Sequence, residues 1–259
     1  MSGFFEQMCK ILAEEEEKSP GFISQNSDLE QFFAPVQKKT ASPAVAVDTS
    51  AKATPATPVT PAAPAAVPSG SDLPGDLASL ARIVAGCRNC PLAASRSNVV
   101  FGEGNPDARL MFIGEGPGFD EDRLGRPFVG KAGQLLDKMI SAMQFTREEV
   151  YIANIVKCRP PDNRVPTPEE AACCIGYLHR QIELIRPEVI VLLGATAVKF
   201  LLNTTSGISK MRGRWLSYEN IPVMPTFHPA FLLRQESAKR EAWQDLQQVM
   251  ARFGKYHKR

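Results

Sequence analysis

Three polar stretches follow apolar runs in this chain, and each carries side chains able to do chemistry. The first is Gly114-Glu115-Gly116-Pro117-Gly118, directly after the apolar residues 110–113. Closely spaced glycines let a backbone approach a flat ligand and present N–H donors to it. The acidic run of Asp120, Glu121 and Asp122 and then Arg126-Pro127-Phe128 come next. Phe128 is an apolar ring in a polar loop, suited either to stacking on a nucleic-acid base or to anchoring the loop in the core. The second feature is Asn154, which interrupts the apolar run of residues 150–156. A buried amide must be hydrogen-bonded. Its donor and acceptor match a pyrimidine edge, and serve a structural bond equally well. The third is His228, which ends the apolar run 221–227 and opens His-Pro-Ala-Phe-Leu-Leu-Arg. Here Phe231, Leu232 or Leu233 can wedge into a base stack while Arg234 meets phosphate. The alternative is that these three pack in the core.

The chain has 6 cysteines: Cys9, Cys87, Cys90, Cys158, Cys173 and Cys174. No basic-then-apolar segment marks the N-terminus for export, so disulfides are not expected and metal ligation is the natural alternative. Cys87-x2-Cys90 can clasp one side of a metal group. Cys158 opens a loop and Cys174 lies in the helix after it, so the two can converge on the pair. Four thiolates suit structural zinc or an iron–sulfur cluster; buried, unligated thiols are the alternative. Cys173 points elsewhere on the helix and Cys9 lies in the N-terminal leader, so neither is expected to be a ligand.

The elements that must position these groups alternate. Core strands are expected at residues 110–113, 150–156, 189–193 and 221–227, with an edge strand at 98–101. Helices are expected at 73–86, from near Ala132 through the stripe Leu135, Leu136, Met139, Ile140 and Met143, at 168–185, at 195–202 and at 237–253. Thr167-Pro168-Glu169-Glu170 carries a complete helix start: cap, proline and acidic first turn. Alternation of this kind gives a mostly parallel sheet covered on both faces, with ligands at the carboxyl ends of its strands. A dinucleotide-binding loop is the rival reading of the glycines, disfavoured because no helix is expected directly after them. Gly102-Glu103-Gly104 is set aside, since it precedes the turn at Asn105-Pro106-Asp107.

Residues 1–75 hold 5 Lys and Arg against 9 Asp and Glu, whereas the remainder holds 25 against 19, so the globular part is mildly basic. That suits a DNA partner without requiring one. Residues 41–70 contain 10 Ala and 6 Pro, a composition unable to bury a core and disposed to extended conformations. We therefore divide the chain into a leader (1–40), a linker (41–70) and a globular domain (71–259). Within the leader, residues 3–18 suit a short helix. Leu29-Glu30-Gln31-Phe32-Phe33 resembles the peptide ligands of sliding clamps, making a clamp a candidate protein partner. No run is long enough for a membrane span, and a monomer in the cytoplasm, of bacterial or archaeal type, is expected.

Together, GEGPGFDEDRLGRPFVGKAGQLLD, YIANIVKCRPPDNRVPTPEE, PEVIVLLGATA and TFHPAFLLR resemble the family 4, iron–sulfur type of uracil-DNA glycosylase, over roughly residues 87–253. The resemblance implies a three-layer α/β/α fold, with a central, mostly parallel four-stranded sheet, and excision of uracil from DNA in base excision repair. It implies a [4Fe–4S] cluster, with Cys87, Cys90, Cys158 and Cys174 on the ligand positions. It places Glu115, Glu121, Asn163 and His228 on catalytic positions, and Glu115, Gly116, Pro117, Phe128, Asn154 and His228 around the base. Arg159, Arg164, Leu232 and Arg234 are candidates for contact with DNA. Two rivals stand beside it: a non-catalytic iron–sulfur nucleic-acid-binding protein, and a relative that traps uracil-DNA covalently. The second carries a His-containing insert after its second core strand; here that loop reads Arg159-Pro-Pro-Asp-Asn-Arg-Val-Pro, without histidine.

Overall fold

The computed structural model describes residues 31–34 and 73–255. Expectations for residues 3–18, the 41–70 linker and Cys9 lie outside the described residues.

Six strands form one sheet: β1 (Glu103–Gly104), β2 (Leu110–Gly114), β3 (Tyr151–Asn154), β4 (Val189–Leu193), β5 (Leu216–Tyr218) and β6 (Ile221–Thr226), in the order β1-β3-β2-β4-β6-β5. The four inner strands are parallel and are the four expected from the apolar runs. The expectation of four strands is corrected to six by two antiparallel edges, β1 on β3 and β5 on β6. These edges are 2 and 3 residues long, too short for a hydrophobic period to register. Residues 98–101 form no strand; the edge pairing falls to Glu103 and Gly104, in the segment that had been set aside.

The inner strands are buried on both faces, as parallel strands under helices must be. Leu110 and Phe112 face one core, with helices α4 (Lys131–Ala142) and α9 (Lys239–Arg252). Met111 and Ile113 face the other, with α1 (Leu77–Ala85), α2 (Leu92–Ser95), α5 (Pro168–Ile185) and α6 (Ala195–Leu201). This alternation makes the three layers. Helix α5 begins as its sequence dictates: Thr167 Oγ1 accepts from the Glu170 N–H, and Glu170 accepts from the Thr167 N–H.

One expectation fails near the glycines. A short helix, α3 (Phe119–Leu124), opens directly after Gly118. Its three acidic residues suit a first turn, and Gly125 in the left-handed region ends it after 6 residues. The absence of a following helix is thus no argument against a dinucleotide loop, and the case must rest on the site. Two further short helices are α7 (Ile208–Met211) and α8 (Pro229–Leu232).

Because β2, β3, β4 and β6 run parallel, the polar residues that follow them gather at one edge. Glu115 follows β2, Asn154 ends β3, Thr196 follows β4 and His228 follows β6. Chain order reverses across β2, since β3 lies on one side of it and β4 on the other. Such a reversal opens a crevice at the carboxyl ends of the strands.

Candidate active site

A cavity of about 490 Å³ fills that crevice. Its wall takes Glu115, Gly116, Pro117 and Gly118 from the loop after β2, with Glu121 and Phe128 beyond. Asn154, Asn163 and Arg164 come from β3 and its loop, and His228 and Arg234 from the segment after β6. Every residue expected around the base is therefore at one place. Pro160, Val165, Ala230 and Phe231 join them.

Asn154 is almost fully buried, and its Oδ1 has no hydrogen-bond partner among the described residues. An orphaned buried acceptor costs about 1–3 kcal/mol, so its retention at a cavity wall points to a donor on a ligand. The backbone carbonyl of Asn154 accepts from Lys157 Nζ at 3.0 Å, fixing the strand end. Phe128 packs beside it with φ 50, a conformation a bulky residue rarely adopts. Two glycines make this possible. A Cβ on Gly133 would lie 1.9 Å from the Phe128 carbonyl oxygen, and one on Gly114 would lie 2.5 Å from the Phe128 ring and 2.6 Å from Asn154 Oδ1. Arg147 holds the loop from behind, donating to the carbonyls of Pro127 at 2.5 Å and Phe128 at 3.3 Å while paired with Asp137 at 2.6 Å. Nothing in the local sequence marks Arg147, which approaches from outside the motif.

His228 caps α8, its Nδ1 accepting from the Ala230 N–H at 3.1 Å. Burial, with the charge of Arg234 beside it, lowers the imidazole to about 4. The ring is thus neutral at physiological pH. Since Nδ1 accepts, the proton resides on Nε2, which is left to donate. The ring centroids of His228 and Phe128 are 5.7 Å apart.

The two glutamates differ. Glu115 Oε2 accepts from Thr196 Oγ1 at 2.5 Å. Glu121 spends its carboxylate on the scaffold: Oε1 accepts from the Val129 and Gly130 N–H groups at 2.9 and 2.8 Å, and Oε2 from Gly118 at 3.1 Å. Glu121 therefore ties the glycine loop to the Phe128 loop, and Glu115 is the better placed of the two for chemistry. Thr196 was missed from sequence because it sits in an ordinary apolar helix start. If the chain excises a base from DNA as its resemblance implies, Thr196→Val lowers single-turnover base release about tenfold with little change in DNA affinity. Thr196→Ser, which keeps the hydroxyl, restores it; equal loss in both would assign Thr196 to packing instead.

The expected DNA contacts divide similarly. Arg234 lines the cavity. Arg164 also lines it, but its guanidinium is held bidentately by Glu170 at 2.6 and 2.8 Å. Arg159 donates to Asn163 Oδ1 at 2.7 Å and lies 5.2 Å from the Phe119 ring centroid. Leu232 is corrected: it is fully buried in the core, because the turn of α8 points it inward. Phe231, one residue earlier, is exposed at the cavity wall.

The sequence profile of the Uracil DNA glycosylase superfamily matches residues 101–247, which span all these cavity residues. The chain belongs to that superfamily. A type-4 uracil-DNA glycosylase of Thermotoga maritima is 54% identical over 155 residues, covering 58% of this chain and 80% of the relative. One of Archaeoglobus fulgidus is 42% identical over 187 residues, covering 69% of this chain and 94% of its own length. A type-5 uracil-DNA glycosylase of Pyrobaculum aerophilum is 32% identical over 145 residues, covering 49% and 63%. The type-4 names agree with the resemblance drawn from the motifs.

The cysteines of this superfamily member gather beside the second core. Burial raises the thiols of Cys90, Cys158 and Cys174, the last to about 12. Neighbouring thiols add to this: Cys158, Cys173 and Cys87 act on Cys90, Cys87 on Cys158, and Cys158 and Cys90 on Cys174. Cys158 Sγ accepts from Arg96 Nη1 at 3.2 Å and Cys174 Sγ from the Lys157 N–H at 3.3 Å, bonds that favour thiolates. Among the described residues, no three His, Cys, Asp or Glu side chains are arranged to hold a single metal ion. No helix among the described residues is long and apolar enough to cross a membrane.

Proposed function

We propose that this enzyme excises uracil from DNA, releasing the free base and leaving an abasic site for base excision repair. The observation that carries the reading is the buried, unpartnered Asn154 Oδ1 at the wall of a cavity shared with Phe128 and neutral His228. Uracil supplies the missing donor, its N3–H, while the Asn154 amide donates to O4. Cytosine has an unprotonated N3 and an amino group at C4, so it opposes both contacts. Deoxyuridine must leave the stack to reach the cavity, where Phe128 stacks on it. As the glycosidic bond breaks, charge gathers on uracil O2. His228 Nε2–H and the backbone donors near Gly116 stabilise that charge, an oxyanion hole applied to a leaving group. Glu115, held by Thr196, orients the water or offsets the positive charge developing on the sugar. Asn163 helps position water or the strand. Phe231 and Arg234 engage the DNA, one filling the vacated stack and the other meeting phosphate. Residues 71–259 act as the catalytic domain, and a protein partner such as a sliding clamp engages the leader.

Cys87, Cys90, Cys158 and Cys174 fit the ligand set of a [4Fe–4S] cluster: four neighbouring thiols from three segments of the chain, two of them already receiving N–H hydrogen bonds. A bound cluster supplies a four-point cross-link that braces the loop from Arg159 to Pro166. Cys158→Ala is expected to abolish the brown visible absorption of the purified protein; an unchanged spectrum would remove Cys158 from the ligand set.

The reading is tested by single-turnover excision from oligonucleotides carrying uracil, thymine or cytosine at one position. Uracil is expected to be released at least about 1,000-fold faster than cytosine, as a site built to hydrogen-bond its substrate permits. DNA binding without release of any base would favour the non-catalytic reading.

A further inference from the structure

Four residues of the N-terminal leader are seated on the catalytic domain. Gln31, Phe32 and Phe33 form a helical turn ending at Ala34. Phe32 is completely buried and belongs to the same core as α4, α9 and Leu232. Its ring lies 6.1 Å from Trp243 of α9 and 4.8 Å, edge-on, from Phe33. Two lysines of the domain close over the turn. Lys239 Nζ donates to the Ala34 carbonyl at 3.2 Å and stands 6.0 Å from the Phe32 ring centroid, and Lys138 Nζ donates to the Gln31 carbonyl at 3.5 Å. Carbonyls at the end of a helical turn lack partners of their own, so each lysine supplies what the turn needs. Lys239 is itself almost fully buried, and burial lowers its ammonium. The socket is thus shaped for an aromatic side chain followed by free carbonyls.

We propose that Gln31-Phe32-Phe33-Ala34 is an intramolecular latch, in which the leader plugs a socket between α4 and α9 of its own chain. The intervening residues 35–72 are long enough to reach from any point on the domain, since an extended chain spans about 3.3 Å per residue. Tethering also gives the plug an effective concentration in the millimolar range, so modest contacts suffice. The location gives the latch a consequence. Lys239 follows the single turn Glu236–Ala238, which follows α8, the carrier of Phe231 and of the backbone capped by His228. The plug therefore buttresses the segment that presents these residues to DNA. Phe32 and Phe33 are also the aromatic pair of the Gln-Phe-Phe element. A partner that takes these rings must first draw them out of the socket, so partner binding and latching are mutually exclusive.

The test uses the whole 259-residue chain with its proposed cluster in place. In a Trp215→Phe background, which leaves Trp243 as the sole tryptophan, acrylamide quenching reports whether the socket is filled. Phe32→Ala is expected to raise the quenching constant severalfold, with the circular dichroism and cluster absorption unchanged. Protection must also be the same at about 1 and about 100 µM protein, because a contact within one chain does not depend on concentration. Equal quenching with and without Phe32 would overturn the latch, and protection that grows with concentration would assign the socket to a second copy's leader. Should Phe32→Ala misfold, fluorine resonances from a fluorophenylalanine at position 32 decide the matter. A broad, shifted line supports the latch and a sharp random-coil line refutes it.

Discussion

Replacing Asn154 with Asp is expected to reduce uracil excision by about 100-fold or more, while DNA containing no uracil binds as before. In the proposed reading the amide meets the uracil edge with both its donor and its acceptor. Its Oδ1 lies buried and unpartnered until the base arrives, so binding uracil recovers the roughly 1–3 kcal/mol lost by leaving that acceptor alone. Asp keeps an acceptor but loses the donor to O4 and brings a charge into a dry wall, where an unpaired carboxylate is strongly disfavoured. Discrimination should weaken as well, because an acceptor facing C4 favours the amino group of cytosine. Single-turnover rates on uracil and cytosine measure both effects. An Asn154→Asp enzyme with wild-type rate and selectivity would remove Asn154 from base reading.

Removing the imidazole of His228 is the second large effect. His228→Ala is expected to lower the single-turnover rate about 100- to 1,000-fold, the range for losing one donor to a developing oxyanion. The pH dependence carries the same assignment. The imidazole is lowered to about 4 by burial and by Arg234, so the contribution of His228 to the rate should be flat through neutral pH. It should fall only as pH drops through about 4, when Nδ1 takes a proton and loses the Ala230 N–H. Stability follows the linked sign. The unfolded imidazole, near the ordinary 6.5, takes up its proton before the folded one does. Acidification from about 6.5 toward 4 therefore destabilises the fold, by about 3 kcal/mol at the lower end. His228→Ala should flatten that part of the curve of unfolding free energy against pH. A wild-type rate profile breaking near pH 6.5 would contradict the neutral, Nε2-protonated assignment.

Much of this was legible in the sequence, for an identifiable reason. The four inner strands lie in largely apolar runs, and three of them lead into polar residues that a parallel sheet must bring to the same edge. Asn154 stood out because it interrupts the apolar run of residues 150–156, where a buried amide must find a partner, in a ligand or in the fold. Helix α5 was written in its first residues, Thr167-Pro168-Glu169-Glu170. What escaped was whatever depends on contacts distant in the chain. The antiparallel edges β1 and β5 are set by pairing with β3 and β6, not by their own composition. Glu121 reads as a candidate to orient water or stabilise the sugar, and the three backbone N–H groups that it also accepts from are seen only in the fold. Arg147 and Thr196 look ordinary because their importance lies in what they hold, the Phe128 loop and the Glu115 carboxylate. Leu232 and Phe231 are interchangeable in sequence, and only the turn of α8 decides which is buried.

The central claim is that this cavity breaks a glycosidic bond and turns over. The most direct measurement incubates the 259-residue chain with excess oligonucleotide carrying one labelled deoxyuridine, then resolves the products under denaturing conditions. The account predicts free uracil in molar excess over enzyme, with a matching number of alkali-labile abasic sites and no label migrating with the protein. Label retained on the protein in a one-to-one adduct, or intact deoxyuridine in every strand, would contradict it.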